Sequence, residues 1–161
     1  EILNTTEALI QNEDEIEDLL YSMKIKIFTL KSNKKSVQKE LDILDDHLSS
    51  LKYIPAYISD ISLNMAFGYT YLKNTSKANE YLKTALSFAL KNKDRISYKK
   101  ILEFICDNEA NFVDILDEVI NNKSDKLAHF LNERDLISLM KLLNKNQKFD
   151  LSNKILLQYK V

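Results

Sequence analysis

The stretch SDISLNMAFGYTYLKNTSKANEYLKTALSFALKN, from Ser59 to Asn92, decides the fold. It is a 34-residue unit that reads as helix, turn, helix. Asn74, Thr75 and Ser76 supply the polar turn, with side chains suited to capping the second helix. Ala66 and Ala78 are small where the two helices of a hairpin must approach closely. Ala85 is small where the second helix would meet a further unit, and Tyr69 and Leu82 fill the remaining space. Gly68 in mid-helix costs about 1 kcal/mol relative to Ala. Close packing of helices is the expected reason for it, and contact with a bound chain is the alternative.

The same reading extends outward in both directions. Ile16, Leu19, Leu20, Met23, Ile27 and Leu30 recur at helical spacing and predict a core-facing stripe over Glu13–Ser32. Acids open that helix and lysines close it, which complements the helix dipole. Residues 2–10 are expected to end an earlier hairpin. A second helix is predicted from Lys35 to Leu51, with Val37, Leu41, Leu44 and Leu48 on one face. Pro55 is expected to open the next helix. Beyond Asn92, helices are predicted over Ile96–Asp107, Asn111–Asn121, Asp125–Asn132, Asp135–Asn144 and Leu151–Tyr159. The fold class that follows is all-α: stacked antiparallel helical hairpins, similar to tetratricopeptide repeats, with a C-terminal helical cap. Residues 1–122 are expected to hold the repeats and 123–161 the cap and dimerisation region, in one continuous domain. Stacked hairpins bury a core only between neighbours, so at least three are expected.

Composition supports this class. Gly and Pro occur once each in 161 residues, which argues against strands joined by tight turns. The net charge is −1, so no global field favours nucleic acid or an anionic membrane. The apolar runs are far too short to span a bilayer. A lone Cys106 fits a reducing compartment, and a cytoplasmic location is expected. Glu1 in place of Met suggests part of a longer protein.

Chemistry-bearing constellations are absent. The histidines, His47 and His129, are far apart in sequence, and neither is near Cys106. No glycine-rich phosphate loop, nucleophilic serine motif or metal-spaced Cys/His set is present. Asp45, Asp46 and His47 occupy successive helix positions and point different ways. The expectation is a non-enzyme with no cofactor and no metal. Lys24 to Lys39 holds six lysines and no acid, which offers a minor route to phosphate contact.

Two surfaces stand out as binding candidates. The first helix of the 34-residue unit is expected to turn Asp60, Asn64, Phe67 and Tyr71 toward a concave side. An Asn amide both donates and accepts, so Asn64 could grip a peptide backbone. Phe67 and Tyr71 would supply apolar walls. Leu136, Leu139, Met140 and Leu143 form a stripe expected to pair two copies as a homodimer.

From Tyr57 to about Asn144 the chain resembles the C-terminal region of arbitrium receptors, phage-encoded tetratricopeptide regulators that sense a short communication peptide. The residues that carry the resemblance are Ala78-Asn-Glu-Tyr-Leu-Lys-Thr-Ala-Leu-Ser-Phe-Ala-Leu-Lys-Asn92, and Ala128-His129-Phe130 before a Leu-rich helix. The resemblance implies a peptide-sensing regulator of lysis and lysogeny, dimeric, whose DNA contact lies in a region outside these residues. At the places where that family grips its peptide with Asn and Arg, this chain has Leu19, Met23, Tyr57 and Gly68. No ligand residue is therefore carried over. A protein-protein adaptor without a small ligand is the alternative.

Overall fold

The computed structural model describes residues 2–121 and 131–160, with side chains described in them except at 2–12, 109–111, 113, 116 and 158–160. The described residues form helices and no strands. The helices are α1 (Ile2–Leu30), α2 (Lys34–Ser50), α3 (Ile58–Tyr71), α4 (Thr75–Lys91), α5 (Arg95–Asp107), α6 (Glu109–Asn121), α7 (Glu133–Lys145) and α8 (Phe149–Lys160). The all-α expectation holds. The helix expected over Asp125–Asn132, and His129 with it, falls on residues 122–130, outside the described residues. Only its last two positions are described: Leu131 is buried and Asn132 caps α7.

The turns repeat one local device. Ser32, Lys73, Lys93 and Gln147 adopt left-handed backbone, with φ of 55°, 61°, 54° and 60°. After each, the next amide bonds back to the preceding helix: Asn33 N–H to Phe28 O at 3.0 Å, Asn74 to Tyr69 at 2.8 Å, Asp94 to Ala89 at 2.9 Å, and Lys148 to Leu143 at 2.8 Å. This closes the orphan carbonyls of the helix end. Asn33, Asn74 and Asp94 then cap the following helix, accepting from Ser36, Lys77 and Ser97 N–H groups at 3.2, 3.2 and 3.0 Å. One short segment therefore stops one helix and starts the next.

The chain divides into two compact units, Glu1–Ala85 and Leu86–Val161.

In the first unit, α1, α2 and α3 pack against one another. Val37, Leu41 and Leu44 of α2 are buried, as are Ile61, Met65, Ala66 and Tyr69 of α3 and Ala78, Leu82 and Ala85 of α4. The Tyr69 and Tyr81 rings stack with centroids 5.7 Å apart. The Tyr81 hydroxyl donates to Asp45, which Lys77 approaches at 3.4 Å. A Cβ on Gly68 would meet Ile25 Cγ2 at 2.6 Å and Leu41 Cδ1 at 3.0 Å. Gly68 is therefore a packing residue that lets α1 and α2 approach α3.

Two expectations need correction here. Pro55 does not open α3: it lies in the preceding turn, where its carbonyl accepts from Ile58 N–H at 3.1 Å, and α3 begins at Ile58. The α1 stripe does not enter the core. Ile16, Leu20, Met23, Ile27 and Leu30 are 48, 57, 47, 46 and 77% exposed, and the buried face is Glu15, Asp18, Ser22 and Ile25. Residues 2–10 also do not end a separate helix, because α1 runs unbroken through them.

In the second unit, α5 packs on α6 and α7, and α8 packs on α6 and α7. Tyr98, Ile101, Leu102, Ile105, Phe112, Leu136, Leu139, Leu143 and Ile155 form its core. The Asn146 side chain donates to the Cys106 carbonyl at 3.1 Å and ties the end of α7 to α5.

Candidate functional site

The four residues expected on the concave side lie along α3, all half-buried. Their setting is the α1 side of the first unit. Asn64 Nδ2 donates to Ser22 Oγ of α1 at 3.0 Å. Ser22 Oγ in turn donates to the Leu19 carbonyl at 2.7 Å. The amide expected to grip a peptide thus has an internal partner. Lys26 Nζ sits 4.9 Å from the Phe67 ring centroid, and Lys34 Nζ sits 5.9 Å from that of Tyr71. Such cation–aromatic contacts are worth about 0.5–1 kcal/mol at exposed sites. Asp60 lies on the same helix, four residues before Asn64. The structure therefore gathers Asn64, Phe67 and Tyr71 on one helix and gives each a contact inside its own unit.

The stripe expected to pair two copies is corrected. Leu136, Leu139 and Leu143 are 2, 5 and 0% exposed within the chain itself, and Met140 is half-buried. They are core residues of the second unit, and no open stripe remains for a partner.

Sequence reasoning missed a groove between α5 and α7. It has a volume of about 400 Å³. Its floor is apolar, from Leu102, Leu131, Leu139 and Leu142, and Lys99, Glu103, Asp107, Lys141 and Lys145 border it. At its edge lies Asp135, only 6% exposed, in the first turn of α7. Asn132 accepts from the Asp135 N–H at 2.8 Å and fixes that turn. Lys99 Nζ stands 3.1 Å from Asp135 Oδ1, and Arg95 Nε stands 3.4 Å from Oδ2. Oδ2 has no directed hydrogen bond, so Arg95 neutralises its charge without satisfying its geometry. Two cations from α5 thus compensate one buried carboxylate on α7. Removing either cation would leave a buried carboxylate less compensated, which is costly for a charge out of water. The groove could not be read from sequence because its floor residues carry the same apolar periodicity as any core. The available signal was Arg95, one of only two arginines in the chain.

A smaller cavity of about 230 Å³ lies in the first unit, lined by Asp14, Glu17, Asp18, Tyr21, Ile43, Leu44 and His47. His47 Nε2 is 2.9 Å from Asp18 Oδ1. Burial pushes the Asp18 carboxyl above its usual value; His47 pulls it back, and Asp14, Glu17 and Glu15 push it up further. A hydrogen bond to Glu40, helped by burial, holds the Tyr21 proton and pushes that phenol up to about 12. Asp45 faces Tyr81 and Lys77 while His47 faces Asp18, so the acidic run around them does not converge. Among the described residues no group of three His, Cys, Asp or Glu side chains could hold a metal ion. Nor is any helix among them long and apolar enough to cross a membrane.

Comparison with family models, curated proteins and solved structures found no match for this chain.

Proposed function

We propose that the chain is a peptide-binding helical scaffold, with the α5–α7 groove as its binding site. One observation carries this reading. The groove combines an apolar floor with a border of both charge signs, and its buried Asp135 is already compensated. Ligand sites commonly pair a predominantly apolar lining with a few placed polar groups. An apolar side chain of a short peptide would sit against Leu102, Leu139 and Leu142, while Lys141, Lys145 and Glu103 would meet its polar groups. The α3 face with Asp60, Asn64, Phe67 and Tyr71 is the second location, and it would need to exchange its contacts with α1 and α2 for contacts to a ligand.

A regulatory role follows from the resemblance to arbitrium receptors. On that reading the ligand is a short communication peptide, the protein acts in the cytoplasm, and DNA is bound by a region outside these residues. An adaptor for a larger protein partner is the alternative, and the same groove would serve it.

The test uses labelled hexapeptides that vary in one apolar anchor, followed by fluorescence anisotropy. Ser138 is exposed on the groove wall, so Ser138→Trp fills the groove without entering the core. The expected outcome is peptide binding tighter than about 1 mM that Ser138→Trp weakens and Phe67→Ala does not. Loss through Phe67→Ala alone would move the site to α3. Absence of binding across the panel would leave the adaptor.

A further inference from the structure

Helix α1 is amphipathic, and it faces the wrong way for a helix that serves only its own fold. Ile16, Leu20, Met23, Ile27 and Leu30 are spaced by four, three, four and three residues. That is a heptad seam, with Leu20 and Ile27 at position a and Ile16, Met23 and Leu30 at position d. All five are exposed. The opposite side of the heptad, Glu15 and Ser22 at c with Asp18 and Ile25 at f, is the side buried in the first unit. Fully burying one such side chain contributes about 1.5–3 kcal/mol. Five of them in a straight seam along about 21 Å of helix form a surface that water covers poorly.

We propose that this seam pairs with the same seam of a second copy of the chain, the two α1 helices running antiparallel. The charge pattern selects both the occupant and the direction. Glu13, Asp14 and Glu17 lie at the start of the exposed seam, and Lys24, Lys26 and Lys31 lie toward its end, so the helix is complementary to its own reverse. An antiparallel pair sets a against d. Leu20 then faces Met23 of the second copy, and Ile16 faces its Ile27, each layer occurring twice. Position e faces e, which brings Glu17 of each copy to Lys24 of the other. Glu17 and Lys24 are both exposed. A parallel pair would instead set Lys26 against Lys31 and place the acids together. The interface is isologous, so each substitution acts twice.

Analytical ultracentrifugation of the chain at about 50 µM tests the pairing. The unmodified chain is expected to be a dimer. Leu20→Glu with Ile27→Glu places charge at two exposed positions, so helicity by circular dichroism is expected to hold. The dimer dissociation constant is expected to rise by about 100-fold or more, because four charges enter one apolar seam. An unmodified chain that is monomeric overturns the proposal, because the seam then serves another partner. A dimer that survives the double substitution overturns it too, because another surface then pairs. Direction is read from charge exchange: Glu17→Lys and Lys24→Glu are each expected to weaken the dimer about tenfold, and together to restore it. Failure of that restoration overturns the antiparallel arrangement.

Discussion

Helices α1 and α7 carry equally plain apolar stripes, and the molecule treats them in opposite ways. On α7, Leu136, Leu139 and Leu143 turn inward and form core. On α1, Ile16, Leu20, Met23, Ile27 and Leu30 stay in water, while Asp18 and Ser22 turn inward. Periodicity reports that a helix has a face. It carries no information about which neighbour covers that face. For α7 the cover comes from its own unit, because α5 and α8 pack on it. For α1 the inward side is mostly polar, and it is matched to α2 and α3 by specific contacts, Asp18 to His47 and Ser22 to Asn64.

The sharpest break of this comparison is a pair of truncations. Leu143→Ala is expected to cost about 2–5 kcal/mol of stability, as a buried leucine leaves a cavity. Leu20→Ala, measured by urea denaturation in dilute protein, is expected to change stability by less than about 0.5 kcal/mol. Equal costs would mean that α1 is covered within the monomer.

The close approach of α1 to α3 is probed next by Gly68→Ala. Alanine favours helix by about 1 kcal/mol, but its Cβ would lie 2.6 Å from Ile25 Cγ2. Overpacking is expected to win, with a net loss of about 1–3 kcal/mol in chemical denaturation. A gain in stability would mean that α1 moves away freely and that its inner face is not well seated.

Asn64→Ala tests the polar contact across the same pair of helices. Loss of the bond to Ser22 is expected to cost about 0.5–1.5 kcal/mol. If stability does not move, Asn64 is free to serve a ligand, and the α3 face regains its claim as the binding site.

The smallest effect concerns Asp18, on that same inner face. Burial is the largest influence on its carboxyl and raises it above 3.8. The folded state therefore prefers the protonated form. Asp18 contributes most to stability in acid, below 3.8, and that contribution is lost as pH rises through the raised value. Asp18→Asn is expected to leave stability equal or higher at neutral pH, with the advantage shrinking in acid, as read from thermal melts at both. A variant less stable at neutral pH would mean that attraction to His47 outweighs burial.

Much of the fold was legible because the signals were local. Asn74 marked a helix start through chemistry that acts within three residues, and Asn33 and Asp94 cap α2 and α5 in the same way. Ala66, Ala78 and Ala85 were readable as contact points because small residues amid large ones imply close approach, and all three are fully buried. The inward stripe of α2 followed from its spacing. What was not legible depends on distant partners. Ser22 lies 42 residues from Asn64, and nothing in either neighbourhood announces the other. The α5–α7 groove exists only because two apolar helices leave a gap between them. The left-handed turn residues were hidden for a different reason: the chain uses Ser, Lys and Gln there, where glycine would have given them away.

Cys106 gives the second unit a built-in reporter. It is the chain's one cysteine, in no disulfide and 1% exposed, and its carbonyl is bound by Asn146. A thiol reagent can modify it only when the surrounding helices open. When opening and closing are fast relative to labelling, the labelling rate measures the population of the opened form. The first unit has no cysteine, so the signal belongs to one half of the molecule alone. A ligand that settles between α5 and α7 is expected to slow the labelling in proportion to its occupancy. Mass spectrometry of thiol labelling can therefore screen for the groove's occupant with no tag or substitution.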